Sequence, residues 1–217
     1  MKNFRIYDCA LLARTSGLPT ALNLRELRER LASCSSNVIY HHFCETPMVA
    51  SFDNPDYRND VAVWIKLHLG DRVLAERIGI IDPYSFFDME ELRVLTLDLI
   101  DERLSELPFV PSAPPGSEFY FMESTTVVFD TGRAIEHPRD LASSILTMTG
   151  SSIYFHFLEA RRRHPENIDD FSAWLLDSPE EFKMEVNALH SIDFTFFTLS
   201  ELRNELAKLL SHAGGIP

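Results

Sequence analysis

Two stretches of this chain repeat each other. Residues 60–93 align with residues 170–203 without a gap, and seven of the 34 positions are identical: Asp60/Asp170, Trp64/Trp174, Phe86/Phe196, Phe87/Phe197, Glu91/Glu201, Leu92/Leu202 and Arg93/Arg203. Average residue usage predicts about two. The chain has only two tryptophans, and the alignment pairs them. Upstream, Ile39-Tyr40-His41-His42-Phe43-Cys44-Glu45 lies against Ile153-Tyr154-Phe155-His156-Phe157-Leu158-Glu159, with five of seven positions identical. Arg25-Glu26-Leu27 meets Arg139-Asp140-Leu141, and Gly17 meets Gly132. A self-similarity of about a hundred residues implies a duplicated domain, not a solenoid.

Each copy reads in one order: apolar strand, glycine turn, helix, I-Y-x-H-F-x-E segment, D-x-x-x-W helix, F-F-x-x-x-E-L-R helix. Between the copies, Pro108, Pro111, Pro114, Pro115 and Gly116 crowd a stretch that continues no helix and fits no central strand. The expected organisation is repeat module 1 over residues 1–107, a proline-rich linker over 108–116 and repeat module 2 over 117–217. Phe4–Leu12 and Glu118–Phe129 are rich in aromatic and β-branched residues and read as strands, with Gly17 and Gly132 supplying turns. Asn23 precedes Leu24, Leu27 and Leu31 at helical spacing, and Pro138 suits a helix start. Asp88–Glu91 and Thr198–Glu201 are capping-box patterns. Behind them Leu92, Leu95, Leu99 and Leu202, Leu206, Leu209 mark apolar faces, and Gly214 and Gly215 end the last helix. Strands do not alternate with helices, so the fold class is α+β: two tandem pseudo-symmetric repeats, helix-rich with a small antiparallel sheet.

The net charge of −13 over 217 residues argues against nucleic acid and anionic membrane surfaces as partners. No apolar run approaches the length of a membrane span, and the first eight residues hold no signal-peptide core. Cys9, Cys34 and Cys44 cannot pair off and form no C-x-x-C, which fits reduced thiols and a cytoplasmic location.

His42 and Glu45 form H-x-x-E, and His156 and Glu159 repeat it. On a helix such pairs share a face, and with Asp60 and Asp170 they offer a His/carboxylate site between the repeats. The alternative is a packed core histidine, or a strand over residues 39–43 that sends positions 42 and 45 to opposite faces. Asp60 and Asp170, four residues before Trp64 and Trp174, read as caps of short helices that bury those tryptophans as structural anchors. Arg161, Arg162, Arg163 and His164 follow Glu159 in the second copy only. Guanidinium groups in such a cluster clamp phosphate or carboxylate, and the alternative is a solvated helix end. There is no G-x-S-x-G, Walker loop or Gly-x-Gly pattern, and Cys44 reads as a small buried hydrophobe.

Leu24-Arg25-Glu26-Leu27, Val38-Ile39-Tyr40-His41-His42, Asn59-Asp60-x-Ala62-x-Trp64, Ile81-Asp82-Pro83, Phe119-Tyr120-Phe121, Ser152-Ile153-Tyr154-Phe155-His156-Phe157 and Asp169-Asp170-Phe171-Ser172-x-Trp174 together resemble the bacterial and archaeal domain of unknown function 5752. The resemblance covers nearly the whole chain. Val61 stands where the family pattern has Phe, and Met184-Glu185-Val186 replaces its Leu-Ala-Glu element in the second copy. Single copies of a similar module attached to larger proteins imply an accessory or sensory role. The resemblance brings no activity.

The expected function is therefore a non-enzymatic regulatory or accessory module that binds a protein partner or a small-molecule ligand, without cofactor or metal and with no catalytic residue named. Its speculative binding residues are His42, Glu45, His156, Glu159, Arg161, Arg163, Asp60 and Asp170. A homodimer is the expected assembly if dimerisation is its role. The alternative is a metal-dependent, hydrolase-like enzyme built on His42, His156 and nearby carboxylates.

Overall fold

The computed structural model describes residues 2–49, 57–86, 88–164, 166–178, 182–194 and 197–213. Among them the protein is helix-rich α+β with one small antiparallel sheet of two strands, β1 (Phe4–Thr15) and β2 (Met122–Ile135). β1 runs on past Leu12 to Thr15, whereas β2 starts at Met122 instead of Glu118 and runs on past Phe129 to Ile135. Gly132 lies inside β2 instead of ending it: it holds φ +74° while its N–H donates to Asp130 Oδ1 at 2.8 Å. That left-handed kink within a strand is a conformation glycine adopts without a Cβ penalty. Gly17, at φ +82°, follows β1 as a turn.

The chain forms two compact units, residues 12–125 and residues 1–11 with 126–217. These bounds differ from the phase of the sequence repeat, because residues 1–11 join the helices that follow residue 125, while residues 122–125 of β2 belong with the helices that precede them. Residues 108–116 belong to the first of these units, where Ala113 N–H donates to Leu22 O at 2.7 Å.

In the 12–125 unit, α1 (Leu24–Ser33) starts at Asn23, whose side chain accepts from Glu26 N–H, and it buries Leu24, Leu27 and Leu31. There follow α2 (Ser36–Cys44), α3 (Asp60–Trp64), which runs on as a π-helical turn through Ile65–Leu69, α4 (Arg72–Gly79) and α5 (Met89–Glu106). Asp88 caps α5 by accepting from Glu90 N–H. The buried face of α5 is Met89, Leu92, Arg93, Thr96 and Ile100, whereas Leu95 is exposed. Two polar residues enter that face because each brings its own partners. Thr96 Oγ1 donates to Leu92 O, and Arg93 donates to Leu31 O at the end of α1, to Glu90 and to Cys34 Sγ. Burial pushes the Cys34 thiol up. Gly79 is fixed by a close approach: a Cβ there would stand 2.2 Å from Cδ1 of the buried Tyr57. Gly79→Ala is expected to cost about 1–3 kcal/mol through overpacking, measured as a lower urea midpoint with an unchanged slope.

In the other unit a 3-10 turn over Pro138–Asp140 leads into α6 (Leu141–Ile145). One long helix follows: α7 (Gly150–Ile153), a π-helical stretch Tyr154–Glu159, and α8 (Ala160–Arg163). Then come α9 (Asp170–Leu176), α10 (Lys183–Ser191) and α11 (Leu199–Ala213). Thr198 and Glu201 form the reciprocal capping box of α11, and its buried face is Leu202, Leu206, Ala207 and Leu210. Arg203 Nη1 donates to Met148 O at 3.1 Å, as Arg93 does to Leu31 O. Phe87, Phe196, Gly214 and Gly215 lie outside the described residues.

Candidate functional site

Both I-Y-x-H-F-x-E segments are helical, in α2 and in the π-helical stretch after α7, so the strand reading of residues 39–43 does not hold. The H-x-x-E pairs do not form either. Glu45 bonds His41 at 2.9 Å, one turn back, and also accepts from Ser124. Glu159 bonds Arg163, again one turn along. Each repeated histidine instead turns to an aspartate on the next helix. His42 Nδ1 meets Asp60 at 2.9 Å, and His156 Nδ1 meets Asp170 Oδ2 at 2.7 Å.

Those aspartates are not the helix caps. Asn59 accepts from Ala62 N–H, and Asp169 accepts from Ser172 N–H at 2.9 Å and from Ser172 Oγ at 2.7 Å. The residue before does the capping, which leaves Asp60 and Asp170 at the first helical position and available to a histidine. The signal was in the sequence as paired polar residues, Asn59-Asp60 and Asp169-Asp170. Burial pushes Asp169 above the usual carboxylate range. Asp169→Asn keeps the acceptor and removes the buried charge, so it should shift stability at neutral pH by under about 1 kcal/mol, read by thermal unfolding.

The second nitrogen of each ring holds a strand. His156 Nε2 accepts from Tyr7 N–H at 2.9 Å, and His42 Nε2 accepts from Met122 N–H at 2.9 Å. An accepting Nε2 assigns the proton to Nδ1, facing the aspartate. Each tryptophan adds a second tether. Trp174 Nε1 donates to Lys2 O at 2.9 Å, and Trp64 Nε1 donates to Ser117 O at 2.8 Å. Apolar packing completes both arrangements: Phe4 sits between His156 and Trp174, and Phe119 between His42 and Trp64. Ser152 Oγ also donates to Tyr7 O at 2.6 Å. Thus the backbone groups of Tyr7 and the N–H of Met122, which face away from the partner strand, are satisfied by side chains. His42, Asp60 and Trp64, and likewise His156, Asp170 and Trp174, are strand clamps.

The two clamps differ at their carboxylates. The Asp60 side chain is 36% exposed and, among the described residues, receives His42 alone. Asp170 is 16% exposed and receives three donors. Besides His156, these are His164 Nε2 at 2.8 Å and Arg163 Nη2 at 3.0 Å. Burial pushes Asp170 up, but the hydrogen bonds from His156 and His164 and the Arg163 charge more than offset it, leaving the carboxyl below its usual range. Glu159 goes the other way, pushed up mainly by burial. Arg163 also donates to Phe155 O at 2.8 Å and lies over the Phe155 ring. Arg161 stacks on Phe157 and Phe194, so Arg161 is packed and Arg163 both packed and bonded, not merely solvated.

Asp170, Arg163 and His164 open onto a cleft of about 470 Å³ whose walls include Arg5, Tyr7 and Trp174. Arg5 extends from β1, 67% exposed, with one bond to Asp130. The guanidinium groups of Arg5 and Arg163 both face the cleft, Arg5 paired with Asp130 and Arg163 with Glu159 and Asp170. Among the described residues no group of three or more His, Cys, Asp or Glu side chains is placed to hold a metal ion. His42 and His156 lie in different units, each with both ring nitrogens committed, which gives the metal-enzyme alternative no support.

Residues 1–211 match the model of a family described as a family of unknown function, DUF5752. The chain belongs to the DUF5752 family. Among solved structures it is similar to OrfY from Thermoproteus tenax, with a TM-score of 0.79, 24% identity and coverage of 99% of this chain and 96% of that one. That likeness concerns the fold alone. No curated protein matches the chain. Among the described residues no helix is long and apolar enough to cross a membrane.

Sequence reasoning named every side chain of the clamps but missed their second partners, the backbone N–H groups of Tyr7 and Met122. No residue type signals a backbone donor. Arg5 was missed because nothing near it in sequence suggests a site.

Proposed function

We propose that this member of the DUF5752 family is a non-enzymatic binding module. It is built from a duplicated helical unit, and it takes a small organic anion in the cleft of the unit formed by residues 1–11 and 126–217. One observation carries the reading. The clamp residues occur in both units and are accounted for by holding a strand, whereas the His164–Arg163 pair and the Arg5-lined cleft adjoin the Asp170 clamp, and among the described residues no such pair joins Asp60. Features shared by both units serve the fold, and the unshared feature is where a specific ligand is accommodated. Arg5 and Arg163 supply guanidinium groups suited to carboxylate or phosphate, and Tyr7 and Trp174 supply an aromatic wall for the rest of the molecule.

Trp174 lines this cleft and Trp64 does not, so a Trp64→Phe variant carries a single reporter. Titration of that variant with phenyl phosphate, benzoate and inorganic phosphate should give a saturable change in indole emission with at least one organic anion. Arg5→Ala, at a side chain that is 67% exposed, should weaken the binding about tenfold without altering the unfolding curve. Absence of saturation by about 10 mM, weaker than about −3 kcal/mol, with every probe would sink the reading.

A further inference from the structure

A second cleft, of about 430 Å³, adjoins the one that Arg5 and Arg163 face. His164 and Ala173 line both, and the other walls of the second are Glu166, Ile168, Leu176 and Asp177. Asp170, Ala173, Trp174 and Asp177 run along one face of α9 and onto its C-cap, so the helix carries the two clefts side by side. About 10 Å of helix separates Asp170 from Asp177, at 1.5 Å per residue. The small side chain of Ala173 stands between the two ends, and Leu176, 56% exposed, adds apolar surface.

The ends differ in charge. At the first, Arg5 commits only Nη1, to Asp130, among the described residues. At the second, both acids are exposed, and among the described residues neither Glu166 nor Asp177 has a side-chain hydrogen bond or ion pair. The helix gains nothing from Asp177 either, because a carboxylate at a helix C-terminus opposes the macrodipole. We propose that the ligand is an elongated zwitterion, with its carboxylate at Arg5 and Arg163, its chain across Ala173 and its ammonium at Glu166 and Asp177. This rests on the anion reading above and adds the second end. Charges about 10 Å apart match the free termini of an extended tripeptide, at about 3.3–3.6 Å per residue.

Gly-Gly-Phe and its N-acetylated form, which differ in the ammonium alone, test the second end when titrated into the full chain and followed by NMR chemical shifts. The free tripeptide should bind about three- to tenfold more tightly, as two partly exposed ion pairs provide. A chain carrying Glu166→Gln with Asp177→Asn should bind the two forms alike, within about twofold. Both substitutions replace exposed carboxylates by amides of nearly the same shape, and circular dichroism confirms that the fold is retained. Equal affinity for the two peptides in the unsubstituted chain overturns the proposal and leaves the anion reading standing. So does a preference that survives the double substitution, or saturation by benzoate or phenyl phosphate but by neither peptide at about 10 mM. If none of these anions saturates, both readings fall together.

Discussion

His156→Ala is expected to lower the stability of the protein by about 2–4 kcal/mol, measured by urea unfolding, and His42→Ala by a similar amount. The argument is the same at both sites. Each ring is nearly inaccessible, at 2% and 1% exposure, so truncation leaves a cavity. It also leaves the N–H of Tyr7 or Met122 without its acceptor, in a place water does not readily replace it. A buried donor stripped of its partner loses its full desolvation cost, which exceeds the value of an ordinary hydrogen bond. Amide exchange should localise the effect. The Tyr7 amide should lose protection in His156→Ala, and the Met122 amide in His42→Ala. If either histidine were present for catalysis or metal binding, its removal would leave stability near the original value, so an unchanged unfolding midpoint would count decisively against the clamp.

Asp170→Ala should be more damaging than Asp60→Ala, by about 2 kcal/mol. Asp170 answers three donors and is largely buried, whereas among the described residues Asp60 answers His42 alone and is 36% exposed. Solvent can take over the role of Asp60 but not that of Asp170. The pH dependence has a definite sign. Asp170 in the folded protein lies below its ordinary value near 3.8, so its stabilisation is complete above that value and is lost as pH falls through the depressed one. Asp169 and Glu159, raised by burial, act oppositely: each costs stability at neutral pH, and that cost is relieved as pH falls through the raised value. Acid titration of stability should therefore show a shallow gain or plateau, followed by a loss at the lowest pH. In Asp170→Ala the final loss should be reduced while the earlier gain remains. Denaturant midpoints collected from pH 7 to about 2.5 would show both limbs.

Much of the helical architecture was legible because caps and apolar spacing are local. Asn23 and Thr198 cap the helices that their positions predict, and Leu24, Leu27 and Leu31 are buried as their spacing requires. The expected α+β class, with many helices and a small sheet, matches the described architecture. Errors arose where a tertiary partner overrides a local preference. Arg93 and Thr96 occupy a buried helix face in place of Leu95 because their polar atoms find acceptors on neighbouring turns. The β-branched and aromatic character of residues 39–43 fits a strand, yet a helix allows Val38, Ile39, Phe43 and Cys44 to be buried together. The reading of Asp60 and Asp170 failed by a single position, since Asn59 and Asp169 are equally good caps and nothing local decides between adjacent candidates. For the candidate site, Arg163, Glu159, His156 and Asp170 were all identified from sequence, but their grouping was not. The H-x-x-E spacing suggested helical neighbours, whereas the actual partner of each histidine comes from the next helix.

The path of the chain through its units also has a consequence for synthesis. Residues 12–125 are contiguous, so that unit can complete its contacts as soon as it leaves the ribosome. Residues 2–11 are made before residues 12–125 yet join helices made from residues 126–217, which follow them. At about 5–20 residues per second, this apolar nascent segment waits roughly 5–20 s for its binding groove after residue 125 is made. During that interval it offers aromatic and aliphatic side chains to any other nascent chain or to a chaperone. Slowed elongation late in the message should therefore lower the yield of native protein more than the same delay placed early.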